Sequence, residues 1–328
     1  MFRKIFSLMI CAVLCVCSCL CFVACNRDDG KIRLSEVTHS IFYAPQYLAM
    51  ALGYFAEYDI EIELTNAGGA DNVMTSLIAN EADVGLMGCE QGIYVVNQNM
   101  TNHPIVFGQL TKRDGSFLLG RTQDFSWNDL ENKTVLMGRR GGMPAMILQY
   151  ILNNKGYYDG VNITMNYDIQ FNLLGSAFAG GTGDFVPLFE PVASQMQQEN
   201  KGFIVSGLGL ESGEIPYTVY FVNKAYLEKN PQKIENFLKA VFRATDYLFA
   251  HDNDTVAELL LPYFDGTTKE LISMAIQNYK IFDVWMRSPA MTVDSFNRLQ
   301  DIMDCAGELQ ARVNFADLID NSIANRVN

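Results

Sequence analysis

The sequence has 328 residues, room for about two ordinary domains. Apolar residues make up 49% and charged residues 19%, which excludes a disordered or low-complexity chain. A formal net charge of −13 excludes a binder of phosphate backbones, which needs a basic stripe.

The first segment reads as an address. Met1-Phe-Arg-Lys4 is a short basic start, followed by an uncharged, mostly apolar run from Ile5 to Ala24 and the polar stretch Asn26 to Lys31. That pattern describes a secretory signal; the competing reading is a transmembrane anchor, because about 20 apolar residues span a bilayer. Phe22-Val-Ala-Cys25 resembles the lipobox of bacterial lipoproteins, with Phe22 where leucine is usual. The resemblance implies a signal peptide over 1–24, lipidation at Cys25 and a linker over 25–31. Several acyl chains hold a protein firmly, whereas one alone is marginal. Cleavage leaves 304 residues and removes Arg3 and Lys4, so the formal charge moves from −13 to −15. Six of the eight cysteines fall within the first 25 residues. Cys89 and Cys305 then form no disulfide framework and are expected as small buried hydrophobes.

From Lys31 the pattern alternates. Ile32–Val37 reads as a strand, and Pro45 suits the first turn of a helix whose apolar stripe is Tyr47, Leu48, Ala51, Leu52 and Phe55. Strands are expected at Ile60–Leu64, Asp83–Met87 and Ile105–Gly108, with helices over 71–80 and 93–98 between them. Phe117–Gly120 is a strand leaving this unit. After a polar break at 121–129 the pattern restarts with a strand at Thr134–Met137, a helix opened by Gly141-Gly-Met-Pro144 and closed near Gly156, and strands at Ile163–Ile169 and Phe203–Val205. Pro216–Val222 carries the chain back. Helices are then expected over 233–250, 255–263, 269–285 and 294–309, the third with a capping box at Thr267 and Glu270. Strands separated by helices indicate open, largely parallel α/β sheets. One α/β unit interrupts another, giving a first lobe over 32–118 plus 219–328 and a second over 119–218. Two connecting strands make a hinge with a ligand cleft, the geometry of closure around ligands.

Catalytic and metal motifs are scarce. His39, His103 and His251 are scattered, so no metal site is expected. The sequence holds no phosphate loop and no G-x-S-x-G elbow, and Ser212 stands where a dinucleotide fingerprint from Gly207-Leu-Gly209 needs its third glycine. No catalytic residue and no cofactor is expected.

Binding is better supported. Four glycine-containing turns, with Gly68 and Gly69, with Gly88, Cys89 and Glu90, with Arg140, Gly141 and Gly142, and with Gly180, Gly181 and Thr182, are read at strand-to-helix or loop-to-helix transitions. Such turns offer free N–H groups and close backbone approach, or are simply tight turns. Ser40, Phe42 and Tyr43 stand where the first strand meets the first helix; the rings either stack on a planar ligand or fill the core. Glu190 either accepts hydrogen bonds from an amine or aminopyrimidine or sits on the surface at a helix start. Arg139 and Arg140 counter an anion or are a solvated pair. Tyr217 lies on the returning segment, and Trp285 is a cleft wall or a helix-packing residue.

Val37-Thr-His-Ser-Ile-Phe-Tyr-Ala-Pro-Gln-Tyr47, Gly53-Tyr-Phe55, Glu61–Gly69, Ala82–Gly88 and Phe189-Glu-Pro191 resemble substrate-binding proteins of ABC importers, in the subgroup that spans alkanesulfonate, nitrate and thiamine-pyrimidine-precursor binders. The resemblance covers nearly the whole mature chain. It implies a type II periplasmic-binding-protein fold, an α/β fold of two lobes with a two-strand hinge. It also implies a lipid-anchored protein on the extracytoplasmic face of the cell membrane, monomeric, with a small-molecule ligand and permease and ATPase subunits as partners and no nucleic acid. The Phe/Tyr pair and Glu190 suit a planar nitrogen-rich ring such as a thiamine-precursor aminopyrimidine. The alternatives are a small anion such as an alkanesulfonate or nitrate, held by Arg140 and glycine amides, and an enzyme on the same fold. The cysteine cluster of the fungal pyrimidine synthases is not visible, so self-sacrificing pyrimidine synthesis is not expected.

Overall fold

The structure, a computed structural model, describes residues 30–327; the signal segment and Cys25 lie outside them. Strands β1 (Lys31–Glu36), β2 (Glu61–Asn66), β3 (Val84–Gly88) and β4 (Ile105–Thr111) alternate with helices Ala44–Ala51, Ala70–Ile78 and Glu90–Asn97. Every residue of β4 is buried, and all of β3 but its last, as befits strands covered on both faces. A second run follows: β5 (Phe117–Gly120), β6 (Thr134–Leu136), β7 (Thr164–Asn166), β8 (Phe185–Leu188) and β9 (Phe203–Gly207). The chain then returns in β10 (Thr218–Val222).

Among the described residues these strands make two five-stranded sheets, ordered β2-β1-β3-β10-β4 and β7-β6-β8-β5-β9. In the first, β1 runs parallel to β3, and β10 is antiparallel to β3 and β4. In the second, β6 is parallel to β7 and β8, while β5 is antiparallel to β8 and β9. The long edge of β4 is not left open: Met286 N–H donates to Leu110 O at 2.9 Å, Gln109 N–H to Pro289 O at 2.8 Å and Asp320 N–H to Val106 O at 2.9 Å. Covering an edge in this way blocks sheet-to-sheet pairing with other chains.

The chain passes between the sheets twice, over 112–116 and 208–217. The two crossings bond to each other, Ile215 N–H donating to Lys112 O at 2.9 Å and Leu208 N–H to Ser116 O at 3.0 Å. The C-terminal helices serve both sheets. Lys269–Ile281 touches the turn Ile41–Tyr43 and the helix Val192–Gln198, while Val293–Cys305 touches helices Glu90–Asn97 and Met143–Asn154.

Several sequence expectations need correction. The expected strand over 163–169 shortens to β7, because the Asn166 side chain accepts Asp168 N–H at 2.9 Å and turns the chain. The helix from Lys269 ends at Ile281, since Asp283 takes a left-handed φ of 50°; Trp285 therefore sits in an extended bridge to Thr111. The cap of that helix is Thr268, whose hydroxyl accepts Leu271 N–H, rather than Thr267. Strand β8 was not expected, and its Pro187 is the reason, because proline removes a ladder donor. Both body cysteines are free thiols; Cys89 is fully buried, but Cys305 is only half-buried and its sulfur accepts from the Asn153 amide at 3.4 Å.

Candidate functional site

Parallel strands deliver their following residues to one edge of a sheet, where helix N-termini leave N–H groups free. At those edges β1 leads to Ser40–Tyr43, β3 to Cys89 and Glu90, β6 to Arg139–Gly142 and β8 to Phe189 and Glu190.

The Ser40 hydroxyl accepts Phe42 N–H at 3.2 Å and caps the 3-10 turn Ile41–Tyr43. That turn drives Phe42 inward until its side chain is buried. Its ring centroid lies 5.3 Å from Tyr279, 5.4 Å from Phe189, 5.6 Å from Tyr217 and 6.0 Å from Tyr43. The contacts are tilted or edge-on, as aromatic quadrupoles prefer. From behind, the Trp285 indole N–H donates to the Phe42 carbonyl at 2.9 Å. Gly115, on the first crossing, is required by this packing, since a Cβ there would fall 2.4 Å from the Phe42 ring. Phe189 comes from the second sheet and Phe42 from the first, so the cluster is a seam. Two polar ties close the same seam: the Tyr94 hydroxyl donates to Gly141 O at 3.1 Å, and Arg139 lies 3.5 Å from Asp71.

Three carboxylates border the rings. Glu190 is 2% exposed, which removes its surface reading. Its oxygens accept Ser194 N–H at 3.0 Å, the Ser194 hydroxyl at 2.8 Å and the Asn278 amide at 2.6 Å. It thus caps the helix Val192–Gln198, and its own N–H donates to the Tyr279 hydroxyl at 3.1 Å. Burial raises its pKa, opposed by Asn278 and Ser194. Glu90 begins the helix after β3, and its Oε1 accepts from Gln91 at 3.2 Å while Oε2 has no partner. Gly88 makes room for it, because a Cβ there would lie 2.0 Å from Oε2. Burial pushes the Glu90 carboxyl up to about 7, against the Gln91 side chain, its own backbone N–H and the more distant Arg139. Asp114, on the first crossing, accepts Ser116 N–H at 2.7 Å through Oδ1 and leaves Oδ2 unpartnered. Burial lifts it to about 7 as well, opposed by the Ser116 N–H and then by the Ser116 hydroxyl.

The remaining sequence candidates divide. Cys89 is buried beside Glu90, its thiol pushed up by burial and then by that carboxylate. Gly68 (φ 71°) and Gly69 open the helix Ala70–Ile78, and Gly141 (φ 74°) and Gly142 open Met143–Asn154. Tyr217 joins the ring cluster, and Trp285 backs it. The Arg140 guanidinium stacks 3.8 Å over Tyr167, which follows β7 at the same edge of the sheet. Gly180, Gly181 and Thr182 are elsewhere. They join a helix to the amino end of β8, not a strand or loop to a helix, and since β6 and β8 are parallel they lie at the opposite edge from Arg139–Gly142. Arg121 pins that loop by donating to Phe178 O, Thr182 O and Gly183 O. Asp114, Phe189 and Tyr279 were missed. Asp114 hides in Lys112-Arg-Asp-Gly-Ser116, a charged segment that reads as a solvated turn, and Tyr279 falls on an apolar helix stripe. The five-residue gap between β4 and β5 gave no signal, because a hairpin loop has the same length. Among the described residues no group of three or more His, Cys, Asp or Glu is placed to hold a metal ion.

Residues 41–255 match the family described as NMT1/THI5 like. The candidate binding protein YtlA of Bacillus subtilis (strain 168) is 37% identical over 308 residues, covering 93% of this chain and 92% of that one. A 4-amino-5-hydroxymethyl-2-methylpyrimidine phosphate synthase of Aspergillus parasiticus is 27% identical over 64% of each chain. The fold is shared with the periplasmic aliphatic sulphonate binding protein SsuA of Escherichia coli (TM-score 0.71, 16% identity, 90% of this chain and 99% of that one). It is also shared with the periplasmic nitrate-binding protein NrtA of Synechocystis PCC 6803 (TM-score 0.70, 13% identity, 92% and 88%).

Proposed function

The chain belongs to the NMT1/THI5-like family, and from that premise we propose that it is the substrate-binding lipoprotein of an ABC importer. It captures a small, planar, nitrogen-rich solute of the thiamine-precursor aminopyrimidine kind by closure of its two lobes and delivers it to a permease, without turning it over. Anchored through Cys25, it works at the extracytoplasmic face of the cell membrane. The observation that carries this reading is the seam of Phe42, Phe189, Tyr217 and Tyr279 bordered by Glu90, Asp114 and Glu190. Rings offer a flat solute stacking area, and carboxylates offer acceptors for its amino and ring N–H groups. Glu190 keeps an acceptor position on Oε2 beyond the single bond from Ser194 N–H.

An alkanesulfonate or nitrate would face the same three carboxylates, and desolvating like charges together is costly. Of the two candidate cations, Arg140 stacks over Tyr167 and Arg139, beside the seam, is paired with Asp71.

A thermal-shift panel tests the proposal. At about 100 times its dissociation constant a true ligand adds about 2.7 kcal/mol, and the ligand is recovered unchanged. Aminopyrimidines should shift the transition and sulfonates should not; Glu190→Gln should weaken the former. Stabilisation by sulfonates alone, or chemical conversion of the ligand, overturns the reading.

A further inference from the structure

Among the described residues five carboxylates are buried: Glu36, Asp83, Glu90, Asp114 and Glu190. Three are held by the protein's own donors through both oxygens. Glu36 Oε2 takes the Tyr47 hydroxyl at 2.6 Å and the Gln46 amide at 3.1 Å, and Oε1 lies 3.1 Å from His39. Asp83 takes Arg33 at 2.6 and 3.1 Å, and Glu190 takes Ser194 and Asn278. Glu90 and Asp114 are different: each leaves one oxygen buried and without a partner, and neither has an ion pair among the described residues. A buried carboxylate oxygen lacking a donor is destabilising. Two such oxygens at one place therefore suggest that the donor arrives from outside.

The place is the ring seam. The Glu90 charge bears on the phenols of Tyr43, Tyr94 and Tyr217, and that of Asp114 on Tyr217 and Tyr279. Tyr217 thus feels both charges, and its ring meets Phe42 edge-on; Gly115, next to Asp114, lies against that same Phe42 ring. The groups facing Glu90 are Gln91 and Cys89 beside it, Tyr43 from the turn after β1, Tyr94 one helical turn on, Tyr217 ahead of β10, and Arg139 from the loop after β6. Arg139 is the one cation in that group, and it lies closer to Asp71, with 52% of its side chain in solvent. Next to Asp114, Arg113 reaches Glu214 at 3.0 Å through Nη2, while its Nε is buried and makes no hydrogen bond.

We infer that Glu90, with Asp114 as the second carboxylate, reads charge in this cleft, and that the solute is a flat organic cation whose ring carries a protonated or quaternary nitrogen. The inference rests on the binding-protein reading and narrows its substrate class. A cation satisfies the unpartnered oxygens and is attracted by the aromatic faces. A neutral aminopyrimidine also reaches the oxygen, donating its amino N–H to an ionised Glu90 or accepting from a protonated one at its ring nitrogen, but it brings no countercharge to an ionised Glu90.

The two cases differ in their pH dependence. A permanent cation requires Glu90 ionised, so its affinity rises with pH. A neutral ring that accepts from protonated Glu90 binds more weakly as pH rises. The test is calorimetric titration of the unaltered protein with 4-aminopyrimidine and with its ring-N-methylated, permanently cationic counterpart at pH 6, 7 and 8. The expected result is a cation at least tenfold tighter than the neutral ring at pH 8, and about tenfold tighter at pH 8 than at pH 6. About half a proton should leave per cation bound at pH 7 for Glu90, read from buffers of different ionisation enthalpy. Glu90→Gln should bring the two affinities within about threefold and flatten the pH slope; the slope of the unaltered protein needs no variant to fold. Equal affinities, or a cation affinity that falls from pH 6 to pH 8, overturn the charge inference while leaving the aminopyrimidine reading in place. Failure of both rings to bind overturns the two together.

Discussion

Replacing Glu90 by glutamine should stabilise the ligand-free protein. Loss of a carboxylate at a helix start ordinarily removes about 0.3–1 kcal/mol of favourable dipole interaction. Here the opposing effect is larger. Glu90 is 2% exposed, its Oε2 has no donor, and burial holds its carboxyl near 7 against an ordinary value near 4.5. Because the folded value is the higher, this group favours folding most below pH 4.5, and that stability is lost as pH rises through 7. At about 1.36 kcal/mol per unit, the loss reaches about 3 kcal/mol. Glutamine keeps the shape without the charge. The stability gained by Glu90→Gln should therefore be under about 1 kcal/mol at pH 5 and about 3 kcal/mol at pH 7.5. Urea unfolding at a series of pH values, followed by the fluorescence of buried Trp285, measures it. A difference that stays flat from pH 5 to pH 8, or a variant less stable than the parent at pH 8, would refute an unpartnered buried carboxylate.

Gly115→Ala places a methyl 2.4 Å from the Phe42 ring; overpacking of that kind should lower stability by about 1–3 kcal/mol and blunt the ligand-induced thermal shift, both read in one melting series. Cys25→Ser should move the protein from the membrane fraction to the soluble fraction and abolish incorporation of labelled fatty acid; continued membrane association after cleavage at Ala24 would contradict the lipoprotein assignment.

Much of the architecture was legible because it is local. The period-two run Ile60–Leu64 and the buried block Asp83–Met87 announce β2 and β3, and Pro45 and Pro144 sit in the first turns of their helices. What failed was non-local or masked by a single residue. Pro187 hides β8, whose neighbours β5 and β6 satisfy it from both sides. The turn Gly180–Thr182 carries the same glycine signature as Gly141–Gly142, yet only strand direction assigns it to the far edge. The carboxylates make the same point. Glu190 was visible between apolar neighbours, but its engagement by Ser194 and Asn278, the latter 88 positions away, follows from tertiary packing. Asp114 lies in a segment of charges and is buried because both sheets meet there. Neither composition nor the five-residue length of the gap distinguishes a solvated hairpin turn from a crossing; only the strand pairing does.

What occupies the seam decides the function. Protein purified without refolding, denatured and analysed by mass spectrometry, releases whatever solute it carries. A flat, nitrogen-rich ring compound that carries positive charge at neutral pH is the predicted result. Release of a sulfonate, nitrate or another anion would contradict it.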